Sequence, residues 1–162
     1  MVCKIYLFDD DKPWGGIFMG VRYICIKRLA AKCGDNVAIF PHVTLNHIDK
    51  LMIGDNVSIH TMCYLDAFGG INIGNNVSIA HQTSLISFDH TYSDSSKPIK
   101  YNHIKKGLIT IEDDVWIGCG CRILQGVKIG TRSIIAAGAV VNSETLPKHI
   151  YGGVPAHIIK EI

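Results

Sequence analysis

The stretch IEDDVWIGCGCRILQGVKIGTRSIIAAGAVV, residues 111–141, decides the fold. An aliphatic residue recurs every six positions through it: Ile111, Ile117, Ile123, Ile129, Ile135 and Val141. Small or β-branched residues follow the first five of these at an offset of four: Val115, Cys121, Val127, Ser133 and Ala139. Such a period matches neither a helix, which repeats every ~3.6 residues, nor an isolated strand, which repeats every ~2. It indicates short strands joined by corners, as in a parallel β-helix with an aliphatic interior.

The same hexad pattern recurs upstream in three shorter runs, which begin at Cys33, Ile53 and Ile73. Slips of two residues between these runs predict bulged corners. The long step from Leu85 to Ile111 predicts one loop, over about residues 87–108, that is extruded from the solenoid. Loops of this length in a compact domain are usually functional. The predicted fold class is therefore all-β, a parallel β-helix solenoid with an extruded loop and a short N-terminal helix.

The 162 residues predict one domain with three parts. Residues 1–32 are expected to form an N-terminal arm and helix, residues 33–146 the β-helix with its loop, and residues 147–162 a C-terminal tail. The helix is expected from Trp14 to Lys32, as a basic amphipathic helix. Its favoured role is to cover the open end of the solenoid, where strand edges would otherwise be exposed. Attachment to a membrane surface is the alternative.

Composition restricts the classes of function. Charged residues make up 19% of the chain and the net charge is +2, which is too small to indicate a nucleic-acid partner. No apolar stretch is long enough to cross a bilayer, and the acidic residues at positions 9–11 do not fit a signal peptide. Cys63 and Cys121 fall at inward small positions, where a free thiol behaves as a small hydrophobe. We therefore expect a reduced, cytoplasmic, soluble protein.

Three motifs resemble those of the hexapeptide-repeat acyltransferases: DVWIG at 114–118, IAAGAVV at 135–141 and GVPA at 153–156. The resemblance covers about residues 34–160. It is greatest to the maltose and galactoside O-acetyltransferases and to the acetyltransferases that modify capsular and colanic polysaccharides. It implies a homotrimer, with acetyl-CoA in the cleft between neighbouring prisms and no metal. It also implies a left-handed β-helix, and only the resemblance does so, because strand crossovers are otherwise overwhelmingly right-handed.

The resemblance places the family's catalytic histidine at His90, within the extruded loop. An imidazole titrates near neutral pH, so it can take the proton of a sugar hydroxyl that attacks the acetyl thioester. Asp66 or Asp89 is expected to orient the His90 ring or to contact the sugar, and Asp66 is the stronger candidate. His60 stands where the sugar acetyltransferases keep an asparagine. It is a candidate contact to the acceptor, and the resemblance does not extend to maltose or galactoside specificity.

The later coils carry the residues that the resemblance assigns to coenzyme A. Backbone groups at Cys119 and Ala137 are expected to bond the pantetheine arm, because small residues there let the backbone approach. Trp116 is expected to point outward into the cleft, and the phosphates to meet residues near the chain end. The implied cofactor-binding residues are Trp116, Gly118, Cys119, Ala136, Ala137, Asn142, Ser143, His157 and Lys160.

Three alternatives stay open at this point. The nearest is an N-acetyltransferase of a nucleotide-linked amino sugar, although such enzymes often carry an additional N-terminal domain. A metalloenzyme of the γ-carbonic-anhydrase type needs three histidines on one zinc ion, and His42 and His47 have no third histidine far upstream. A non-catalytic scaffold is the third. The favoured interpretation is an acetyl-CoA-dependent O-acetyltransferase that acts on a sugar hydroxyl, in surface-polysaccharide biosynthesis.

Overall fold

A computed structural model describes residues 2–4 and 15–162 of the chain. Three sheets form the faces of a prism, and the chain visits them in a fixed order, so that each coil adds one parallel strand to each face. Faces 1, 2 and 3 are numbered in the order in which one coil crosses them.

The described strands are distributed over the faces as follows. Face 1 contains β2 (Lys32–Cys33), β5 (Leu51–Ile53), β8 (Ile71–Ile73), β13 (Ile109–Ile111) and β16 (Lys128–Ile129). Face 2 contains β3 (Ala38–Ile39), β6 (Ser58–Ile59), β9 (Ser78–Ile79), β14 (Trp116–Ile117), β17 (Ile134–Ile135), β19 (His149–Gly152) and the antiparallel β20 (His157–Glu161). Face 3 contains β4 (Thr44–Asn46), β7 (Tyr64–Asp66), β10 (Ser84–Ile86), β15 (Arg122–Ile123), β18 (Val140–Val141) and the antiparallel β1 (Val2–Lys4).

The hexad residues form the core, as the sequence predicts. Ile111 lies in register between Ile73 and Ile129 on face 1, so equivalent aliphatic residues stack along the prism axis. The six aliphatic residues that recur at the hexad period in the 111–141 stretch are at most 1% exposed, and the small residues of these hexads are at most 2% exposed. Because full burial of an aliphatic side chain is worth about 1.5–3 kcal/mol, this repeated stacking is the main favourable term of the fold.

The corner after face 1 is built on asparagine. Asn36, Asn56 and Asn76 have φ values of 54°, 57° and 56°, a left-handed conformation that asparagine tolerates better than most residues. Their amides also form a ladder, in which Asn36 donates to Asn56 at 3.0 Å and Asn56 donates to Asn76 at 3.1 Å.

The N-terminal helix, α1 (Gly15–Leu29), lies against the first coil and differs from the amphipathic helix that the sequence predicts. Arg22 and Ile26, one turn apart, are both 0% exposed, and the Arg22 Nε donates to the Ile39 carbonyl at 2.6 Å. Ile17 and Ile24 instead point outward, at 56% and 53% exposure. The expectation of an apolar inner face was wrong because a backbone carbonyl of the first coil accepts a hydrogen bond from the arginine. In the described residues, no helix has the length and apolar character needed to cross a membrane.

Candidate active site

The extruded loop is an ordered hairpin that leaves the solenoid where the chain passes from face 3 to face 1. Its strands, β11 (Phe88–His90) and β12 (Ile104–Lys106), are antiparallel and pair Phe88 with Lys106 and His90 with Ile104. A short 3₁₀ helix, Ile99–Tyr101, precedes the second strand. The segment predicted as an extruded loop therefore has its own regular structure, because β11 and β12 pair with each other.

Two polar side chains organise the tip of the hairpin. The Asp94 carboxylate accepts hydrogen bonds from the Ser96 hydroxyl at 2.5 Å and from the Lys97 ammonium at 2.9 Å, and these donors hold the pKa of Asp94 below its usual range. Asn102 is buried, and its side-chain amide donates to the carbonyls of Asp94 and Pro98. The tip is thus held together by local bonds, which keep the strand carrying His90 in place.

A buried serine attaches the hairpin to the solenoid. The Ser87 hydroxyl donates to the Asp66 carbonyl at 2.7 Å and accepts from the Gly69 amide at 2.8 Å. One residue further, the Phe88 ring meets the Phe68 ring edge-on, with the centroids 5.7 Å apart. The base of the hairpin is therefore fixed to the preceding coil by both polar and aromatic contacts.

His90 lies exposed at the end of β11 and faces an open groove of about 430 Å³. The groove is lined by Asp89, His90, Thr91, Tyr92, Ser93, Lys105 and Gln125. The Asp89 carboxylate accepts a hydrogen bond from the backbone amide of His90 at 2.8 Å, so it is turned towards the backbone and away from the imidazole. Within the part of the chain that the structure describes, the imidazole nitrogens of His90 have no hydrogen-bond partner, and they are free to meet a ligand.

The expected pairing of Asp66 with His90 is not made in this structure. Asp66 is only 5% exposed, and its Oδ1 lies 2.9 Å from Nδ1 of His47. Its other oxygen accepts from the Asn46 amide at 3.0 Å and from the Tyr64 hydroxyl at 3.2 Å. Asp66 points into this cluster because Asn46 and Asp66 are register neighbours on face 3. The hairpin extends beyond that face, and the Ser87 hydroxyl at its base donates a hydrogen bond to the Asp66 backbone carbonyl.

A second set of predicted residues lies at another corner, where the chain passes from face 2 to face 3. Cys119 and Ala137 are stacked there on adjacent coils, since the Gly138 amide donates to the Cys119 carbonyl at 2.8 Å. The amides of Cys119 and Ala137 themselves donate to no other backbone group among the described residues. Ala137 is exposed and Ala136 half-buried. This corner, named the Ala137 corner and comprising residues 118–121 and 136–139, offers free backbone donors beside small side chains.

His60 and Gly118 also lie where the chain passes from face 2 to face 3, and each packs against a different neighbour. The His60 ring stacks on the Phe40 ring, with centroids 4.5 Å apart and planes 7° apart, so one of its faces is covered. Gly118 is buried, and a Cβ added to it would lie 2.6 Å from the Ala137 nitrogen. Gly118 therefore sits between coils, and its role at the cofactor site stays a prediction.

The residues assigned to the cofactor are dispersed over the prism. Trp116 points outward as expected, at 53% exposure, and lines a groove of about 280 Å³ on face 2. His157 and Lys160 are exposed on β20, at the outer edge of that face. Asn142 and Ser143 follow β18 and are exposed at the corner where the hairpin also emerges. A single chain does not bring these residues into one binding site.

Within residues 15–162, no group of three or more His, Cys, Asp or Glu side chains is placed to hold a metal ion. This holds for His42 and His47, since the His47 ring is engaged with Asp66. Five cysteines are free thiols: Cys25, Cys33, Cys63, Cys119 and Cys121. Burial raises the pKa of the Cys63 thiol to about 11, consistent with an inert core position.

Three residues surround the base of the hairpin, at a place that the sequence pattern did not predict for them: His47, Lys50 and Phe68. The His47 and Phe68 rings lie 4.8 Å apart, and the Lys50 ammonium lies 5.2 Å from the Phe68 centroid. No hexad motif contains these residues. The available signal was the spacing of 20 residues between successive upstream runs, which places Asn46 beside Asp66 and the residues after them at one corner.

Comparison with known proteins agrees with this architecture. The bacterial transferase hexapeptide family (six repeats) matches residues 109–143. A hexapeptide-repeat acetyltransferase from Vibrio cholerae is 32% identical, with a TM-score of 0.82 over 88% of this chain and 80% of that chain. A galactoside acetyltransferase solved with coenzyme A is 28% identical, with a TM-score of 0.84 over 98% of this chain and 76% of that chain.

Curated relatives match over shorter stretches. The galactoside O-acetyltransferase of Escherichia coli K12 is 37% identical over 83 residues, which are 48% of this chain and 41% of the relative. A 2,3,4,5-tetrahydropyridine-2,6-dicarboxylate N-acetyltransferase of Clostridium perfringens is 50% identical over 52 residues, which are 32% of this chain and 22% of the relative. These matches thus span less than half of the relatives' length.

The fold class is the left-handed parallel β-helix. Within that class, the identity and coverage of the Vibrio cholerae structure show that this chain belongs to the hexapeptide-repeat acetyltransferase family.

Proposed function

We propose that this chain transfers an acetyl group from acetyl-CoA to a sugar hydroxyl, with His90 as the general base. The observation that carries the proposal is the position of His90. It lies at the end of a strand whose base and tip are both fixed, and its imidazole faces an open groove without a partner in the described chain. A base of this kind must be held within hydrogen-bond reach of an incoming hydroxyl, and such a groove supplies the space.

The acyl donor fits the Ala137 corner. Its free amides at Cys119 and Ala137 can donate to the carbonyl groups of the pantetheine arm, and the small side chains leave the backbone accessible. Trp116 and His157 are exposed on face 2, from which the chain enters this corner, and they offer an aromatic and a polar side chain. The free backbone amides of this chain are the basis for placing the acyl donor here, and the coenzyme A complexes of related proteins support this placement.

A homotrimer would bring the proposed base and the proposed donor site together. His90 emerges at the corner between faces 3 and 1, whereas the Ala137 corner lies between faces 2 and 3. One chain therefore holds its base and its donor site on different edges of the prism. Packing one copy's hairpin against a neighbour's Ala137 corner would bring both together, and a closed ring of three would build three identical sites.

The chemistry requires one proton to move twice. When bound, acetyl-CoA supplies the acyl group as an activated thioester. His90 takes the proton of the acceptor hydroxyl while the oxygen forms a bond to the thioester carbonyl carbon. As the carbon–sulfur bond breaks, the imidazolium returns that proton to the sulfur. His90 ends neutral, so no covalent enzyme intermediate is needed.

The acceptor is proposed to be a saccharide of surface-polysaccharide biosynthesis, modified in the cytoplasm where acetyl-CoA is available. The relatives include both O- and N-acetyltransferases, so an amino sugar is the second candidate. Either acceptor is compatible with a base at His90, because an amine must also lose a proton during acyl transfer.

The test is release of coenzyme A thiol from acetyl-CoA in the presence of a panel of saccharides and amino sugars. Mass spectrometry then identifies the product, and hydroxylamine separates an ester, which it cleaves, from an amide, which it does not. The proposal predicts saccharide-dependent thiol release with an ester product. An amide product would support the second candidate. Failure to bind coenzyme A would contradict both.

A further inference from the structure

Two lysines converge on one aromatic ring beneath the hairpin. The Lys106 ammonium lies 3.9 Å from the centroid of the Phe68 ring, and the Lys50 ammonium lies 5.2 Å from the same centroid. Lys50 also donates to the Phe68 carbonyl at 3.3 Å. The two lysines come from the first coil and from β12, so the fold brings together two cations that are far apart in sequence.

Neither ammonium group has an acidic partner in the described part of the chain. The loop's Lys97, in contrast, is bound to Asp94, and Lys105 lies directly opposite Asp89 in the hairpin register. Asp66 is the buried carboxylate nearby, and its oxygens are already engaged by four donors, the amide of Asn46, the ring of His47, the hydroxyl of Tyr64 and the backbone amide of Phe68. The surface beneath the hairpin therefore carries uncompensated positive charge.

This charge is adjacent to the base. Lys106 pairs with Phe88, and His90 pairs with Ile104, so Lys106 and His90 are diagonal neighbours on one face of the hairpin. Diagonal neighbours in an antiparallel pair lie about 7–8 Å apart. That distance is comparable to one sugar unit. A molecule with its hydroxyl at His90 could therefore reach the lysines with a group on the same or the next sugar.

We propose that Lys50 and Lys106 bind an oxyanion of the acceptor, which makes the acceptor an acidic saccharide. The oxyanion is the carboxylate of a uronic acid or the diphosphate of an activated sugar. An ammonium group on an aromatic ring retains its outward N–H donors, and these suit oxyanions. The identification of the bound molecule as an acceptor rests on the proposed function, whereas the anion site itself does not.

The experiment is calorimetric titration of two probes, methyl β-D-glucuronide and inorganic pyrophosphate, into protein saturated with coenzyme A. Saturation keeps the probes from any site for the nucleotide phosphates. The proteins compared are the wild type, the Lys50→Gln/Lys106→Gln double variant, and Lys100→Gln as the matched control. Lys100 is on the same loop, and its ammonium also lies over an aromatic ring, 5.7 Å from the centroid of Tyr101. It is not one of the lysines that contact the Phe68 ring.

The expected result is saturable binding of one probe to the wild type and to Lys100→Gln, with affinity reduced about tenfold or more in the double variant. Preference for the glucuronide identifies a uronic acid, and preference for pyrophosphate identifies a diphosphate. No binding of either probe to the wild type, or equal binding to the double variant, would overturn the proposal. If coenzyme A itself fails to bind, the proposed function fails, yet the probe titrations still report on the anion site.

Discussion

The carboxylate of Asp66 lies 2.9 Å from Nδ1 of His47, and this contact joins two coils at the base of the hairpin. A carboxylate can only accept hydrogen bonds, so the contact places a proton on Nδ1 and leaves Nε2 directed elsewhere. The same carboxylate binds Asn46 and Tyr64. Asp66 thus stabilises the coils from which the hairpin emerges, and it makes no direct contact with His90.

Replacing Asp66 with Asn is expected to lower the free energy of unfolding by about 1–3 kcal/mol, because buried donors lose a charged acceptor. Urea unfolding measures this change. Asp89→Asn is the control, since its carboxylate is exposed, and its effect should lie within about 0.5 kcal/mol. An unchanged unfolding midpoint together with an altered pH profile of kcat would show instead that Asp66 orients His90.

Replacing Gly118 with Ala is expected to destabilise the fold by about 1–3 kcal/mol through overpacking. The new Cβ would lie 2.6 Å from the Ala137 nitrogen and 2.9 Å from the Ile135 carbonyl oxygen, so two coils must separate. Thermal unfolding is the measurement. The matched control is Gly16→Ala in α1, where the added Cβ meets nothing within 4 Å and the helix should become slightly more stable. Equal effects at both sites would contradict the close packing of the coils.

The free energy of unfolding should depend on pH through the ionisation of Glu112. The Lys128 ammonium, 2.8 Å away, and the Thr131 amide and hydroxyl lower the pKa of Glu112 from its ordinary 4.5 to about 2. Since the folded state holds this proton less tightly than the unfolded state, the stabilisation is full above pH 4.5 and is lost as the pH falls towards 2. Glu112→Gln should therefore be less stable than the wild type at pH 7, and the difference should shrink through that range. A constant difference from pH 7 to pH 2 would contradict this explanation.

Enlarging Ala137 should weaken binding of the acyl donor without affecting the fold. Its side chain is exposed, so Leu at this position is expected to leave the unfolding midpoint unchanged while it obstructs the free amides of the Ala137 corner. We expect the KM for acetyl-CoA to rise about tenfold or more, the effect of losing about 1.4 kcal/mol of binding free energy. Ala137→Ser keeps the side chain small and should behave as the wild type. An unaltered KM in the Leu variant would show that the Ala137 corner is not part of the donor site.

The core could be predicted from sequence because each hexad repeats one local environment. Ile117 and Ile135 stack on face 2 in successive coils, and Ile123 holds the same hexad position on face 3, so one period specified the burial of all three. Asn56 and Asn76 were predictable for a related reason, since their backbone conformation limits the residue types that fit a corner.

The helix and the Asp66 cluster could not be predicted in the same way. Arg22 is buried because a carbonyl of the first coil lies opposite it, and helical periodicity carries no information about that carbonyl. Asp66 bonds to His47 through contacts between coils, which the pattern within one coil does not encode. The position of His90 followed from a resemblance, while the hairpin that holds it depends on the pairing of Phe88 with Lys106.

The most direct test of the central claim is to measure coenzyme A binding and turnover together for the wild type and His90→Ala. Removal of a positioned general base typically costs about 10²–10⁴-fold in rate. The backbone amides proposed to hold coenzyme A, at Cys119 and Ala137, are left intact by this substitution. We therefore predict that His90→Ala binds coenzyme A with unchanged affinity and loses at least about 100-fold in kcat. A loss of less than about tenfold in kcat, with binding intact, would contradict the role of His90 as the base.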